Sequence, residues 1–288
     1  MSGGPDSLAL LLLAQAAFPG EVEAATVDHG LRADSAEEAA FVAQVCERLG
    51  VPHRILRVDV PSGNLQSRAR KARYAALGDW AEERNLAAIA TAHHADDQAE
   101  TLLMRLNRGS GVAGLAGIRA TGPLAGSSAV VVRPLLRWRR AELAGVVEAA
   151  GIEPILDPTN RDTAFDRVRL REALAEADWL DVAALSASAE HLADAEEVLA
   201  LAAEAERRER TDWKDGEVRY RPAGPKAVRL RVVAQAIEHI GGEEPRGSAV
   251  ARLLASLETG QGGNVAGVMA QVKGSEWVFN PEPPRAVR

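Results

Sequence analysis

The residues with the plainest chemical use stand at the start of the chain, where Ser2-Gly-Gly-Pro-Asp-Ser7 runs directly into an apolar stretch at 8–13. Gly3 and Gly4 free the backbone to turn its N–H groups toward one point, and the N-terminus of the apolar helix that follows adds partial positive charge behind them. Ser2 and Ser7 add hydroxyl donors. Such a cradle suits a pyrophosphate. Asp6 would repel bare phosphate, so its expected task is to hold Mg2+ or to orient the loop. The Gly-Lys-Ser/Thr ending of a Walker A loop is absent.

Two further polar clusters follow. Val27-Asp-His-Gly-Leu-Arg32 closes an expected strand and places His29 at its end. Thr91-Ala-His-His-Ala-Asp-Asp-Gln-Ala-Glu-Thr101 leaves a second strand and enters a helix. His93, His94 and Asp96 gather at the helix entrance. Asp97 and Glu100, three residues apart, share one helix face with Thr101 beside them. Arg105 and Arg108 supply cations, and Gly109-Ser-Gly111 a second small-residue turn.

These clusters need a scaffold that brings strand ends together. Helical patterns at 8–17, 34–49, 67–85, 95–106 and 139–150 alternate with strand-like runs at 22–28, 53–58, 87–91 and 130–132. Asp34 or Ser35 caps the second helix, with Glu37 and Glu38 in its first turn. Strand, helix, strand at this spacing predicts a parallel sheet with helices on both faces, its ligand site along the edge where the strand ends meet. Beyond Leu156 the pattern turns helical, densest over 178–210, and the run from Glu204 to Arg210 is charged on every side. Helices near 226–240 and 248–257 and a hairpin from Gly260 to Phe279 complete a small α+β domain. The expected boundaries are 1–208, with a helical extension from about 157, and 209–288.

Composition narrows the class. The 288 residues hold one cysteine, Cys46, which excludes an internal disulfide and any metal site built on paired cysteines, and fits the cytoplasm. No apolar run reaches the roughly 18 residues of a membrane span, so no membrane partner is expected. Of 34 Lys+Arg and 41 Asp+Glu, residues 207–288 hold 14 and 10, a surplus of +4, leaving 20 and 31 to residues 1–206. Local charge governs phosphate contact more than the total does, so the C-terminal domain is the expected nucleic-acid contact.

In order and together, the phosphate loop, the 27–32 and 91–101 clusters, Arg68–Tyr74, Arg133-Pro-Leu-Leu136 and Leu156-Asp-Pro-Thr-Asn160 resemble the tRNA(Ile)-lysidine synthases, a PP-loop family. The resemblance covers most of residues 2–175. It implies an adenine nucleotide alpha hydrolase-like fold, with ATP as substrate and Mg2+ as cofactor. Its implied partners are free L-lysine and an isoleucine tRNA with a CAU anticodon. ATP would adenylate the C2 oxygen of the wobble cytidine, and the ε-amine of lysine would then displace AMP. Ser2, Gly3, Gly4, Pro5, Asp6, Ser7, His29 and Arg108 are the implied nucleotide contacts, with Asp6 the metal ligand. Asp6, Asp97, Glu100 and His93 are the implied catalytic set, Asp97 and Glu100 holding the lysine ammonium or accepting its proton. Arg137-Trp-Arg-Arg140 and Arg167-Val-Arg-Leu-Arg171 suit phosphate contact, though the second lacks an asparagine the family usually carries there. A homodimer is compatible with the sequence.

Two rival readings differ in testable ways. Base thiolation by a PP-loop enzyme uses two or more cysteines in its sulfur-relay and iron–sulfur forms, against one here. The family also places an apolar strand before the loop, whereas only Met1 precedes Ser2. About 10–25 upstream residues, including such a strand, are therefore expected; without the strand, the chain would read as an inactive tRNA- or nucleotide-binding module.

Overall fold

The computed structural model describes residues 1–28, 35–58, 65–155 and 166–283. His29 and the 156–160 motif lie outside the described residues. Two compact units divide the chain, Met1–Arg108 with Gly117–Glu190, and Gly109–Ala116 with His191–Arg288.

In the first unit the order is α1 (Pro5–Ala17), β1 (Ala24–Asp28), α2 (Ser35–Arg48), β2 (His53–Arg57), α3 (Leu65–Arg84), β3 (Ala88–Ala90) and α4 (Ala95–Asn107). After the short helix α5 (Val112–Leu115) of the second unit come β4 (Thr121–Pro123), β5 (Val130–Val132), α6 (Arg140–Ala149) and α7 (Asp166–Glu176). Strands β1 and β2 pair in parallel, as do β3 and β5, and β4 adds an antiparallel edge to β5. The described strands thus form two ladders, β1-β2 and β3-β5-β4. The amino nitrogen of Met1 donates to the carbonyl of Ala25 in β1.

Successive strand residues point to opposite faces, and β1 shows the result. Ala24 packs with Leu8 and Leu11 of α1, Val42 and Val45 of α2, and Leu143 and Val147 of α6. Its neighbour Ala25 packs with Leu77, Trp80 and Ala81 of α3, together with Ile89 and Val131 from β3 and β5. Helices therefore cover both faces, as the alternation of elements predicts. The small side chains of β1 let two helical layers approach closely.

The remaining elements are α8 (Val182–Arg210), β6 (Thr211–Lys214), β7 (Glu217–Tyr220), α9 (Lys226–Gly241), α10 (Gly247–Glu258), β8 (Gly263–Val265), β9 (Val268–Lys273) and β10 (Glu276–Pro281). The five strands make an antiparallel sheet in the order β6-β7-β10-β9-β8. Val232, Val233, Ala236 and Ile237 of α9 and Leu253, Leu254 and Leu257 of α10 share a core with Tyr220, Trp277 and Phe279. The expected boundary near Arg208 marks the end of α8, whereas the compact units divide inside that helix. The reason lies in its C-terminal half. Ala203 is buried in the second core, Glu196 pairs with Arg231, and Glu206 accepts from the Tyr220 hydroxyl at 2.5 Å.

Candidate active site

The loop before α1 is shaped by glycine. Gly3 has φ +75°, a left-handed conformation costly for other residues, and a Cβ there would lie 2.8 Å from Cδ1 of Ile155. Ile155 also donates its N–H to the Gly3 carbonyl at 3.0 Å, which fastens the loop from outside. Ser7 Oγ donates to the Gly4 carbonyl at 3.0 Å and stands 3.2 Å from Ser2 Oγ, so the two hydroxyls are neighbours. Gly4 caps α1 without any side-chain hydrogen bond. The first-turn N–H groups therefore stay available to an anion.

The second element of the site is the start of α4. His94 caps this helix in a reciprocal arrangement with Asp97, whose Oδ2 accepts the His94 N–H at 3.1 Å. The His94 ring is fully buried, with Nε2 3.6 Å from Asp6 Oδ2 and 3.5 Å from Asp97 Oδ2, and Nδ1 3.6 Å from Asp96 Oδ2. It thus ties the phosphate loop to the acidic helix entrance. Burial alone would depress its pKa, but the three carboxylates outweigh burial and lift it to about 9. The Asp97 N–H also approaches Nδ1, at 3.4 Å. An imidazolium gives up that long contact, and three nearby negative charges count for more than one weak bond.

His93 behaves oppositely. Burial dominates, and Arg133, Arg70 and Arg167 add to it against the opposing pull of Asp97, so its pKa falls to about 4. Its Nδ1 lies 3.0 Å from the Thr91 hydroxyl. Adjacent histidines are thus held in different charge states by different neighbours, one neutral and one charged.

The carboxylates of α4 divide their partners. Burial would raise the pKa of Asp96, yet His94, a two-point contact from Arg139 and the Arg140 N–H hold it well below the usual carboxylate range. Asp96 therefore anchors the start of α6. Glu100 is 1% exposed and accepts from Arg167 Nε at 2.6 Å and Arg171 Nε at 2.8 Å, with Arg140 Nη2 at 3.8 Å. Burial opposes its ionisation, and the arginines overcome this and lower its pKa. Arg167 also reaches Asp97 Oδ1 through Nη2 at 2.9 Å.

Of the residues singled out in the sequence, Asp6 and Asp97 meet through His94, and Asp97 and Glu100 meet through Arg167. His93 adjoins them. Arg108 caps the far end of α4, about 20 Å along a 13-residue helix, and its guanidinium lies 4.0 Å from Asp166. As clustered cations, Arg139, Arg140, Arg167 and Arg171 suit phosphate contact. The structure gives them a nearer task, neutralising the acids of α4. A buried acidic helix entrance needs counter-charges, and that requirement could have pointed to them.

A PP-loop domain model matches residues 1–178. The chain is 48% identical to a tRNA(Ile)-lysidine synthase of Novosphingobium aromaticivorans over 98% of this chain and 88% of that protein. It is 44% identical to one of Zymomonas mobilis, over 99% and 88%. Among solved structures it resembles the U34-tRNA thiolase NcsA of Methanococcus maripaludis, determined with its [4Fe-4S] cluster. There the TM-score is 0.54 and the identity 19%, covering 69% of this chain and 70% of that one, a likeness of fold.

Proposed function

Because this chain belongs to the tRNA(Ile)-lysidine synthase family of PP-loop proteins, we propose that it joins free L-lysine to C2 of the wobble cytidine in an isoleucine tRNA with a CAU anticodon. The observation that carries the reading is the junction through His94, where the glycine loop before α1 meets the carboxylates at the start of α4. In the first step the cytidine O2 attacks the α-phosphorus of ATP, the bond to the β-phosphate oxygen breaks, and pyrophosphate leaves. In the second the lysine ε-amine, having lost a proton, attacks C2, and the C2–O2 bond breaks to release AMP.

The residues match these demands. The open first turn of α1 with Ser2 and Ser7 would receive phosphate oxygens, at a point where negative charge grows in the transition state. Asp6 fits Mg2+, since its Oδ1 is enclosed without a hydrogen-bond partner among the described residues. Mg2+ commonly takes one or two protein carboxylates and completes its shell with phosphate oxygens and water. When bound, the ion would neutralise charge on the departing pyrophosphate. Asp97, fixed by its cap and by Arg167, presents a carboxylate for the lysine ammonium. Neutral His93 beside it adds no repelling charge. Glu100, bound by arginines, sets the position of Arg167.

The thiolation reading gains nothing from the geometry. Cys46, the one cysteine of the chain, is buried among apolar residues of the first unit, and burial raises its pKa, which suits a packing thiol and not a reactive one. The test is incorporation of labelled lysine into RNA by purified protein with ATP. Incorporation should require isoleucine tRNA with a CAU anticodon and should release AMP and pyrophosphate in equal amounts. Absence of labelled RNA, with pyrophosphate still formed, would overturn the assignment.

A further inference from the structure

The second unit holds a cavity of about 570 Å³ bordered by Pro222, Lys226, Arg229, Glu258, Ser275 and Trp277. It lies where the start of α9, the end of α10 and the tight β9–β10 turn converge. Two cations enter it from successive turns of α9, against one carboxylate. Glu258 is committed to Arg229, Nη2 to Oε1 at 3.1 Å, and Arg229 Nε is enclosed without a hydrogen-bond acceptor among the described residues. Lys226 is exposed and makes no ion pair among the described residues. The cavity therefore carries a net positive charge, and it lies within residues 207–288, the stretch that holds 14 Lys+Arg against 10 Asp+Glu. Its lining also includes the apolar Pro222, Leu257 and Val272 and the buried Trp277, which is set edge-on to Tyr220.

Charge on one wall and apolar surface on the other is the chemistry of a nucleotide, whose phosphate and sugar-base halves make the same division. The volume falls within the range of pockets that hold small ligands. We infer that this cavity receives one nucleotide of the RNA substrate, with its phosphate at Lys226 and Ser275 and its sugar or base against Pro222. The inference rests on the proposed function for the presence of RNA, and adds where the second unit grips it.

The test measures binding of isoleucine tRNA to full-length protein across salt concentrations. Lys226→Ala is expected to weaken binding about three- to tenfold and to reduce the slope of log affinity against log salt by about one, with the KM for ATP unchanged. Arg252→Ala, which removes an exposed charge from α10 outside the cavity wall, is expected to change the tRNA affinity less than twofold. Equal losses from the two variants, or no loss from Lys226→Ala, would overturn the inference. AMP and inorganic phosphate are titrated in parallel. If Lys226→Ala abolishes their binding and leaves tRNA affinity intact, the cavity is a small-anion site and the RNA assignment is wrong. Failure of the wild-type protein to bind tRNA at all is a different outcome, and strikes the proposed function itself.

Discussion

Replacing Glu100 by glutamine isolates what the arginine cluster does. The carboxylate is 1% exposed and faces Arg167, Arg171 and Arg140. Removing one member of a buried ion pair typically costs about 3–5 kcal/mol, because the remaining charge is left uncompensated. Here the arginine side chains are 42%, 29% and 34% exposed, so water can recover part of that loss, and glutamine keeps the volume and one acceptor oxygen. A cost of about 2–3 kcal/mol follows once that screening is allowed for. At about 2–4 °C per kcal/mol for a unit of this size, the melting transition of the first unit should fall by about 5–10 °C. Differential scanning calorimetry of both proteins reads the shift. The pH dependence has a fixed sign, because the folded pKa of Glu100 is depressed. Its stabilisation is fully present above the unfolded value of about 4.3 and is lost as pH falls through the folded value. The gap between wild type and variant should therefore stay constant from neutral pH down to about 5, and close below about pH 4. A gap under about 1 °C at neutral pH, or one that persists unchanged into acid, would show that the cluster is not held together by the Glu100 charge.

Three other outcomes follow from the same geometry. Asp6→Asn should abolish pyrophosphate release while leaving tRNA affinity within about twofold, since no RNA contact is assigned to it; full turnover would remove Asp6 from the mechanism. Asp97→Asn should raise the KM for lysine by about 10–100-fold, the equivalent of a charge-assisted hydrogen bond of about 1.5–3 kcal/mol, with the KM for ATP much less affected; equal increases would assign Asp97 to structure alone. Gly3→Ala should cost about 1–2 kcal/mol from its left-handed backbone and raise the KM for ATP, because the methyl group would press on Ile155. Wild-type stability and KM in that variant would refute the account of the loop.

The layered α/β unit was legible because its strands and helices carry their signals locally. Helix α2 was expected at 34–49 and runs Ser35–Arg48, and β2 was expected at 53–58 and runs His53–Arg57. The β6–β7 hairpin has only a short signal, the two-residue turn Asp215-Gly216, with Gly216 at φ +74°. The charged end of α8 has the pattern of a solvated connector, which masks the strands that follow it. In the candidate site, the glycine loop and the acidic helix entrance stand out by residue type, and they gain a specific reading only in combination. The pairing of Asp96 with Arg139, and of Glu100 with Arg167 and Arg171, does not stand out in this way. Those partners lie 43, 67 and 71 residues apart in sequence, and only the packing of α4 against α6 and α7 brings them within reach.

Arg167 has a consequence for how the two proposed substrates would respond to their surroundings. One guanidinium already satisfies Asp97 and Glu100, so a lysine ammonium arriving at Asp97 would share or replace an existing cation. An exchange of like charges leaves the local field nearly as it was and sets few counterions free. Amino-acid occupancy should then be almost indifferent to ionic strength. RNA contacts release condensed counterions and weaken steeply as salt rises. Within one protein the small substrate would be held by electroneutral exchange and the large one by counterion release, so rising salt would detach the RNA while the amino-acid site remained competent.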